Sequence, residues 1–288
     1  MDKKRVLAVP IQKLRDGIWQ NCQDDLSIEE PLEIELEAET FDGPFCKPVA
    51  ITMRTPGNDR ELSIGFLIGE GLVRSLDQLQ AVDSRGPQFG EGNWQNKVRV
   101  WLKPGQQVSL DSAQRNFYVT SSCGVCGKTS LEALLALPFP PLPPVTWQVD
   151  ADVLTQLPEK LRSAQDVFDR TGGLHAAALF NPKGELVLAR EDVGRHNAVD
   201  KVTGNRFLAG QWPLSDFILV VSGRASFELV QKAIASRIPV LVAVGAPSSL
   251  AVGAAERFGL TLIGFTKATG FNLYTGAQRI SSQGQPVG

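Results

Sequence analysis

The sequence predicts an α/β protein in which helices cover both faces of a mixed sheet, preceded by a smaller, strand-rich domain. Two observations support this prediction. Strand patterns dominate roughly the first hundred residues, and helical and strand segments alternate in the second half of the chain. The change of pattern near residue 116 divides the chain into a strand-rich domain over residues 1–115 and an α/β domain over residues 116–288.

The composition is that of a globular chain, with 43% hydrophobic and 21% charged residues in 288. Lys and Arg number 29 against 31 Asp and Glu, so the chain lacks the basic surplus of a nucleic-acid-binding protein. No apolar run is long enough to span a bilayer, and no signal cleavage pattern follows the N-terminus. We therefore expect a cytoplasmic protein with free thiols that binds neither nucleic acid nor membrane.

The N-terminal segments are assigned from their periodicity. Residues 31–40 alternate strictly, with Leu32, Ile34, Leu36 and Ala38 on one face and acidic residues mostly on the other, which predicts a half-buried strand. The other expectations are strands over 47–54 and 97–102, a helix over 59–72, and an exposed loop over 84–96.

The middle of the chain begins with a short strand over 117–120. A capping-box pattern, Thr129 with Glu132, predicts a helix that must end before Pro138. The run over 138–144 holds five prolines and predicts a stiff, extended connector.

The remaining segments alternate regularly. The predicted helices cover 150–168, 196–202, 227–236 and 250–258, and the predicted strands cover 174–180, 185–190, 216–221, 240–244 and, as the last strand, 260–265. This order describes an antiparallel pair, joined by a turn at 181–184, and then parallel crossovers. Such sheets bind ligands beyond the carboxyl ends of their parallel strands, which here are followed by loops 221–224, 245–248 and 265–270.

Cys123-Gly-Val-Cys126 is the strongest local indication of chemistry. It lies between a predicted strand and a capped helix start, with Lys128 nearby. Free N–H groups of a helix start and a nearby cation favour the thiolate, and the neighbouring glycines leave the sulfur approachable. The pattern fits a sulfur-carrying or nucleophilic thiolate, a redox dithiol or half of a metal site, and also a buried turn in which cysteine is a small apolar residue.

Two other site types fit the sequence poorly. The segment ending in Lys128 lacks the first glycine of a phosphate-binding loop, because Ser122 occupies that position. A deaminase-type zinc site needs His-x-Glu before the cysteine pair, whereas His175 and His196 follow the pair and lack the glutamate, so we expect no metal site. The motifs around these histidines, over 171–175 and 191–201, fit either structural turns or a functional cleft.

Several motifs in a fixed order resemble the formate dehydrogenase accessory sulfurtransferase (FdhD) family over nearly the whole chain. They are Ser121-Ser-Cys-Gly-Val-Cys-Gly-Lys128, Thr171-Gly-Gly-Leu-His175, Glu191-Asp-Val-Gly-Arg-His-Asn-Ala-Val-Asp-Lys201 and Val221-Ser-Gly-Arg224, followed by Gly264-Phe265 and Phe271-Asn272. Such a series is far more specific than a single Cys-x-x-Cys pair.

The resemblance implies a sulfurtransferase that takes sulfur from a cysteine desulfurase and passes it to a cofactor needed by formate dehydrogenase. That cofactor is bis(molybdopterin guanine dinucleotide), carrying molybdenum or tungsten, and GDP is expected to mimic part of it. Matched by motif, Cys123 carries the persulfide and Cys126 assists. The segment Phe265-Thr266-Lys267-Ala268-Thr269-Gly270 binds the cofactor. The resemblance further implies a cytidine-deaminase-like second domain without zinc, and a homodimer.

Two alternatives remain open from the sequence. One is a non-catalytic cofactor chaperone whose cysteines serve only for packing, and the other is a dithiol redox protein. For binding of the guanine dinucleotide cofactor, Lys267 or Arg224 is suited to meet phosphate charge at the strand-end loops.

Overall fold

A computed structural model describes residues 5–40, 43–90, 92–105, 139–282 and 285–286. The predicted strand over 117–120, the helix start at Thr129, and both Cys123 and Cys126 lie outside these residues. The elements of the first part are β1 (Val6–Arg15), β2 (Ile18–Ser27), β3 (Glu30–Thr40), β4 (Gly43–Arg54), α1 (Asp59–Gly69), β5 (Leu79–Phe89) and β6 (Trp94–Leu102).

The elements that follow residue 139 are β7 (Val149–Asp150), α2 (Ala151–Arg162), α3 (Asp166–Thr171), β8 (His175–Phe180), β9 (Leu186–Asp192), α4 (Arg195–Leu208), β10 (Ile218–Val221), α5 (Phe227–Ala235), β11 (Val240–Ala243), α6 (Ser249–Phe258), β12 (Thr261–Lys267), β13 (Gly270–Thr275), β14 (Ile280–Ser282) and β15 (Gln285–Pro286). The prediction of a mixed α/β fold is confirmed.

The first part contains a four-stranded sheet in the order β4-β3-β6-β5. Alternation along β3 is as predicted, because Leu32, Ile34 and Leu36 are fully buried in one cluster with the apolar residues of α1. The outward face of β3 carries glutamates that pair with Lys97 and Arg99 on β6. Alternation thus gives this sheet one apolar and one charged face.

The predicted loop over 84–96 is wrong. Strands β5 and β6 run through most of this segment and pair from Leu79↔Leu102 to Phe89↔Trp94, so the turn is confined to the few residues between them. The Gly, Gln and Asn residues that suggested a loop lie mainly at the exposed ends of a hairpin, where a strand tolerates polar residues.

An N-terminal hairpin was not predicted. Strands β1 and β2 form a separate two-stranded sheet with ten consecutive pairs, from Val6↔Ser27 to Arg15↔Ile18. The turn is Asp16-Gly17, with positive φ at both residues, which is the typical signal of a two-residue hairpin turn.

The second part contains a six-stranded sheet in the order β13-β12-β11-β10-β8-β9. Strands β10, β11 and β12 are parallel, and β8 and β9 form the predicted antiparallel pair. Apolar residues alternate across β10, since Leu219 packs toward α4, α5 and α6 whereas Val220 packs toward α2. Helices therefore cover both faces, as predicted.

Several boundaries differ from the sequence prediction, and two of these differences change the order of elements. The helix expected over 150–168 is two helices, because α2 ends at Arg162 and α3 begins at Asp166. The Glu191 carboxylate accepts hydrogen bonds from the N–H groups of Val167 and Phe168 and so caps the first turn of α3. Strand β12 is also not the last, because it turns directly into the antiparallel β13. The Asn272–Thr275 stretch was too short and polar to be recognised as a strand.

The two parts meet where α1 crosses α4. Gly65 of α1 lies against the backbone of Asp200, and Gly204 of α4 lies against the backbone of Glu61, so that a Cβ atom at either glycine would overlap a main-chain carbonyl. Glycine is needed at both positions because the helix backbones are in direct contact. Phe207 of α4 completes the contact by packing into the core of the four-stranded sheet.

Candidate functional site

Three loops meet at the carboxyl edge of the six-stranded sheet, as the strand order predicts. The Gly245 N–H donates to the Gly223 carbonyl at 2.9 Å, and the Phe265 N–H donates to the Gly245 carbonyl at 3.1 Å. A further bond from the Ala225 N–H to the Ala246 carbonyl joins the first two loops. The ends of β10, β11 and β12 thus form one continuous edge of small residues.

The segment 265–270 is the end of a hairpin rather than a free loop. It includes the end of β12, a two-residue turn and the first residue of β13, with Lys267 paired to Gly270. The Phe265 backbone has φ of 53° next to an irregularity in pairing, and its ring is 50% exposed. The Thr266 hydroxyl is buried and has no hydrogen-bond partner among the described residues. Such an orphaned hydroxyl is a group that a ligand can satisfy.

Basic side chains line the same edge. Arg224 follows β10 and Lys267 ends β12, and both side chains are exposed. Neither makes a hydrogen bond or ion pair with another residue in the described ranges. Arg195, at the start of α4, likewise lacks such a partner there and is close enough to lower the pKa of both histidines. The edge therefore presents cations that are free to meet an anion.

Both histidines lie at this edge. His175 begins β8 beside Gly223, and its cross-strand partner is Asp192 at the end of β9. The His196 Nε2 atom lies 3.3 Å from the Ser226 hydroxyl and 3.9 Å from a Glu228 carboxylate oxygen. The two motifs left open by the sequence, over 171–175 and 191–201, are thus brought together.

Burial and local charge keep both imidazoles neutral. Burial, reinforced by the positive charge of Arg195, lowers the pKa of His175. Burial, together with the charges of Lys232 and Arg195, lowers the pKa of His196 to about 4. Burial alone would raise the pKa of Glu228, but hydrogen bonds from its own backbone N–H and from Ser226 lower it overall. A neutral imidazole and a carboxylate therefore face each other at neutral pH.

The start of α4 is held by the buried carboxylate of Asp192. One oxygen accepts hydrogen bonds from the Gly194 N–H at 2.8 Å and the Asn197 amide at 3.0 Å. The other lies 2.6 Å from the Lys201 ammonium and accepts a bond from the Thr55 N–H. These bonds anchor the helix start to the first part of the chain and orient the turn that carries the histidine.

Sequence reasoning missed the residues that surround His196. Ser226 and Glu228 lie in the first turn of α5, and Lys232 lies one turn further, where it pairs with Asp200 at 2.6 Å. One signal in the sequence could have found them. Ser226 and Glu228 come shortly after the predicted strand-end loop 221–224, and a serine followed by an acidic residue is typical of a helix N-terminus.

The described ranges contain no group of three or more His, Cys, Asp or Glu side chains arranged to hold a metal ion. They also contain no helix with the length and apolar character needed to cross a membrane.

Comparison with known proteins agrees with these motifs. A family model for the FdhD/NarQ family matches residues 27–281. The chain is 50% identical over 273 residues to the "Sulfur carrier protein FdhD" of Streptomyces avermitilis, covering 93% of each chain. It is 48% identical over 265 residues to the protein of that name from Mycobacterium tuberculosis, covering 90% of this chain and 92% of the relative.

A more distant relative with the same name, from Sulfurisphaera tokodaii, is 42% identical over 276 residues, which are 96% of this chain and 99% of the relative. Among solved structures, a crystal structure described as a candidate formate dehydrogenase accessory protein from Desulfotalea psychrophila superposes with a TM-score of 0.71. It covers 96% of this chain and 100% of its own at 22% identity, so it supports the fold alone. By its family model and its relatives, the chain belongs to the FdhD/NarQ family.

Proposed function

We propose that this protein is a sulfur carrier in the maturation of formate dehydrogenase. In this proposal a cysteine desulfurase supplies sulfur, Cys123 carries it as a persulfide with the help of Cys126, and the acceptor is bis(molybdopterin guanine dinucleotide). Family membership supports the carrier role, because the relatives named above are sulfur carrier proteins. The chain acts as a cytoplasmic homodimer, with a deaminase-like second domain that holds no zinc.

The feature of the structure that best supports the proposal is the set of unpaired groups along one sheet edge. The substrate cofactor carries pyrophosphate groups and flat rings. Arg224 and Lys267 suit the phosphates, and the unpartnered Thr266 hydroxyl suits a polar edge of a ring. The residues of the edge thus fit the chemistry of the substrate.

Loading of the carrier requires a single exchange. The Cys123 thiolate attacks the outer sulfur of the donor's persulfide, a new S–S bond forms at Cys123, and the donor cysteine leaves as a thiolate. The reaction needs no outside oxidant because the transferred sulfur is already in the persulfide state. Gly124 follows Cys123 and Gly127 follows Cys126, and glycine adds no side-chain bulk next to either sulfur.

Mass spectrometry tests the carrier role directly. We expect a gain of about 32 Da, the mass of one sulfur, on the peptide that contains Cys123 after incubation with a cysteine desulfurase and cysteine. Cys123→Ala should lose both this adduct and the maturation of formate dehydrogenase, because Cys22 and Cys46 lie in no such motif and Cys126 is assigned only an assisting role.

Cys46→Ala is the matched control. Cys46 is exposed on β4. Partial desolvation, together with the nearby Glu37 carboxylate, raises the pKa of its thiol and disfavours the thiolate, so its removal should change neither readout. Absence of an adduct on the wild-type protein would instead favour the cofactor chaperone, and a reversible Cys123–Cys126 disulfide turned over by thioredoxin reductase would favour the redox protein.

Nucleotide affinity tests the sheet edge. We expect Arg224→Ala and Lys267→Ala each to weaken GDP binding by roughly tenfold in isothermal titration calorimetry, since a hydrogen bond to a charged group contributes ~1.5–3 kcal/mol. Lys183→Ala is the control, because this exposed lysine lies in the turn at the opposite end of the sheet. Equal affinities in all four proteins would rule out this edge as the nucleotide site.

A further inference from the structure

His196 is placed by three elements at the carboxyl edge. It lies in the first turn of α4, its ring reaches the Ser226 hydroxyl at the start of α5, and Ala225 joins that loop to the β11 loop. Strands in a sheet are about 4.8 Å apart, so β10 and β12 are separated by roughly 10 Å. A ligand of dinucleotide size that contacts Lys267 can therefore extend to the imidazole.

Two cations and one anion face this imidazole. They are Lys232 and Glu228 from α5 and Arg195 from α4, and the neutral ring of His175 from β8 lies near them. Lys232 is paired with the buried Asp200, but Arg195 has no such partner in the described part of the chain. Burial and these cations disfavour an imidazolium, and Glu228 at 3.9 Å only partly offsets them.

We propose that His196 is a ligand-binding residue that takes up one proton when a phosphorylated ligand occupies the carboxyl edge. The proton comes from the solvent and forms an N–H bond on the ring nitrogen, with no electron transfer. The resulting imidazolium donates to the anion or to Glu228. The inference rests on the proposed function, in that the ligand is taken to be a pyrophosphate-bearing cofactor.

The physical reason is that binding and protonation affect each other equally. Negative charge brought to the edge offsets the cations that disfavour the imidazolium, which raises the pKa of the ring. By linkage, a lower pH must then strengthen binding of the anion. If the bound anion restores the ordinary imidazole pKa of about 6.5, the Kd falls roughly fourfold between about pH 8 and about pH 6.

The test uses GDP-mannose as the ligand, because its pyrophosphate is a diester and, unlike the terminal phosphate of GDP, does not titrate in this range. Calorimetry on the full chain at about pH 6 and about pH 8 should show roughly fourfold tighter binding at the lower pH for the wild-type protein. His196→Gln, which keeps a polar group near Ser226, should remove the difference, and Lys183→Ala, at the opposite end of the sheet, should keep it.

A second measurement does not depend on a variant of His196. The chain has only two histidines, so their ring signals in NMR are assigned with His175→Gln alone. The His196 titration midpoint should lie below about 5 in the free protein and above about 6 with GDP-mannose bound.

Binding without pH dependence, an unaltered pH dependence in His196→Gln, or a midpoint that does not move would each overturn the inference and leave the proposed function intact. Failure of GDP-mannose to bind at any pH would overturn the nucleotide site and this inference together.

Discussion

The charged residues of the segment 191–201 have two separate roles. Glu191 caps α3, and Asp192 and Lys201 form a buried pair that anchors α4. Arg195 and His196 remain at the sheet edge with no ion pair closer than 3.9 Å in the described ranges. The structural interpretation therefore holds for Glu191, Asp192 and Lys201, whereas a functional role for Arg195 and His196 stays a prediction.

The sequence could not separate these subsets because the partners are distant along the chain. Asp192 is stabilised by the backbone N–H of Thr55, and His196 is neutral partly because of Lys232. The local sequence indicates that a charged helix start lies here, but it does not indicate which of the charged side chains are buried. The candidate site is therefore predictable as an edge with loops 221–224, 245–248 and 265–270, whereas its electrostatics require the tertiary structure.

At the scale of elements, the secondary structure was predicted correctly where burial places apolar residues in a recognisable pattern along the sequence. Strand β3 alternates along its whole length, and the short apolar strands β10 and β11 are buried on both faces. Prediction failed where strands lie in solvent, as in β1, β2 and the outer ends of β5 and β6. Such strands are specified by their turns and partners more than by their own side chains.

The crossing of α1 and α4 gives a prediction at this scale. We expect Gly65→Ala to lower the free energy of unfolding by about 2 kcal/mol or more, because its methyl group would overlap the Asp200 carbonyl and force the helices apart. Urea unfolding followed by tryptophan fluorescence measures the loss.

Gly253→Ala is the matched helical control. This glycine lies in α6 with open space where a Cβ would lie, so alanine should stabilise the protein by ~0.5–1 kcal/mol through helix propensity. A loss at Gly65 no larger than the change at Gly253 would show that the helices can separate without cost.

At the scale of the molecule, two sheets are held together by helices and by polar contacts, among them the buried cluster of Asp192, Lys201 and Thr55. Close packing of α1 against α4 at Gly65 and Gly204 brings the parts together, and the directional bonds of Asp192, Lys201 and Thr55 add to it. The Lys201 ammonium also donates to the Thr55 carbonyl at 2.8 Å. The first part of the chain therefore helps to position the α4 turn that carries His196.

Lys201→Met tests this connection. The substitution leaves the Asp192 carboxylate fully buried without its counter-charge, and burial already lowers the pKa of Lys201 despite that carboxylate. We expect a loss of about 3–5 kcal/mol in the free energy of unfolding, as for other buried pairs that lose one partner. Lys97→Met is the control, because its ammonium lies 2.8 Å from Glu33 but its side chain is 39% exposed, and a surface pair contributes at most ~1 kcal/mol. Equal losses in the two variants would contradict this prediction, since the buried pair would then contribute no more to stability than a solvent-exposed one.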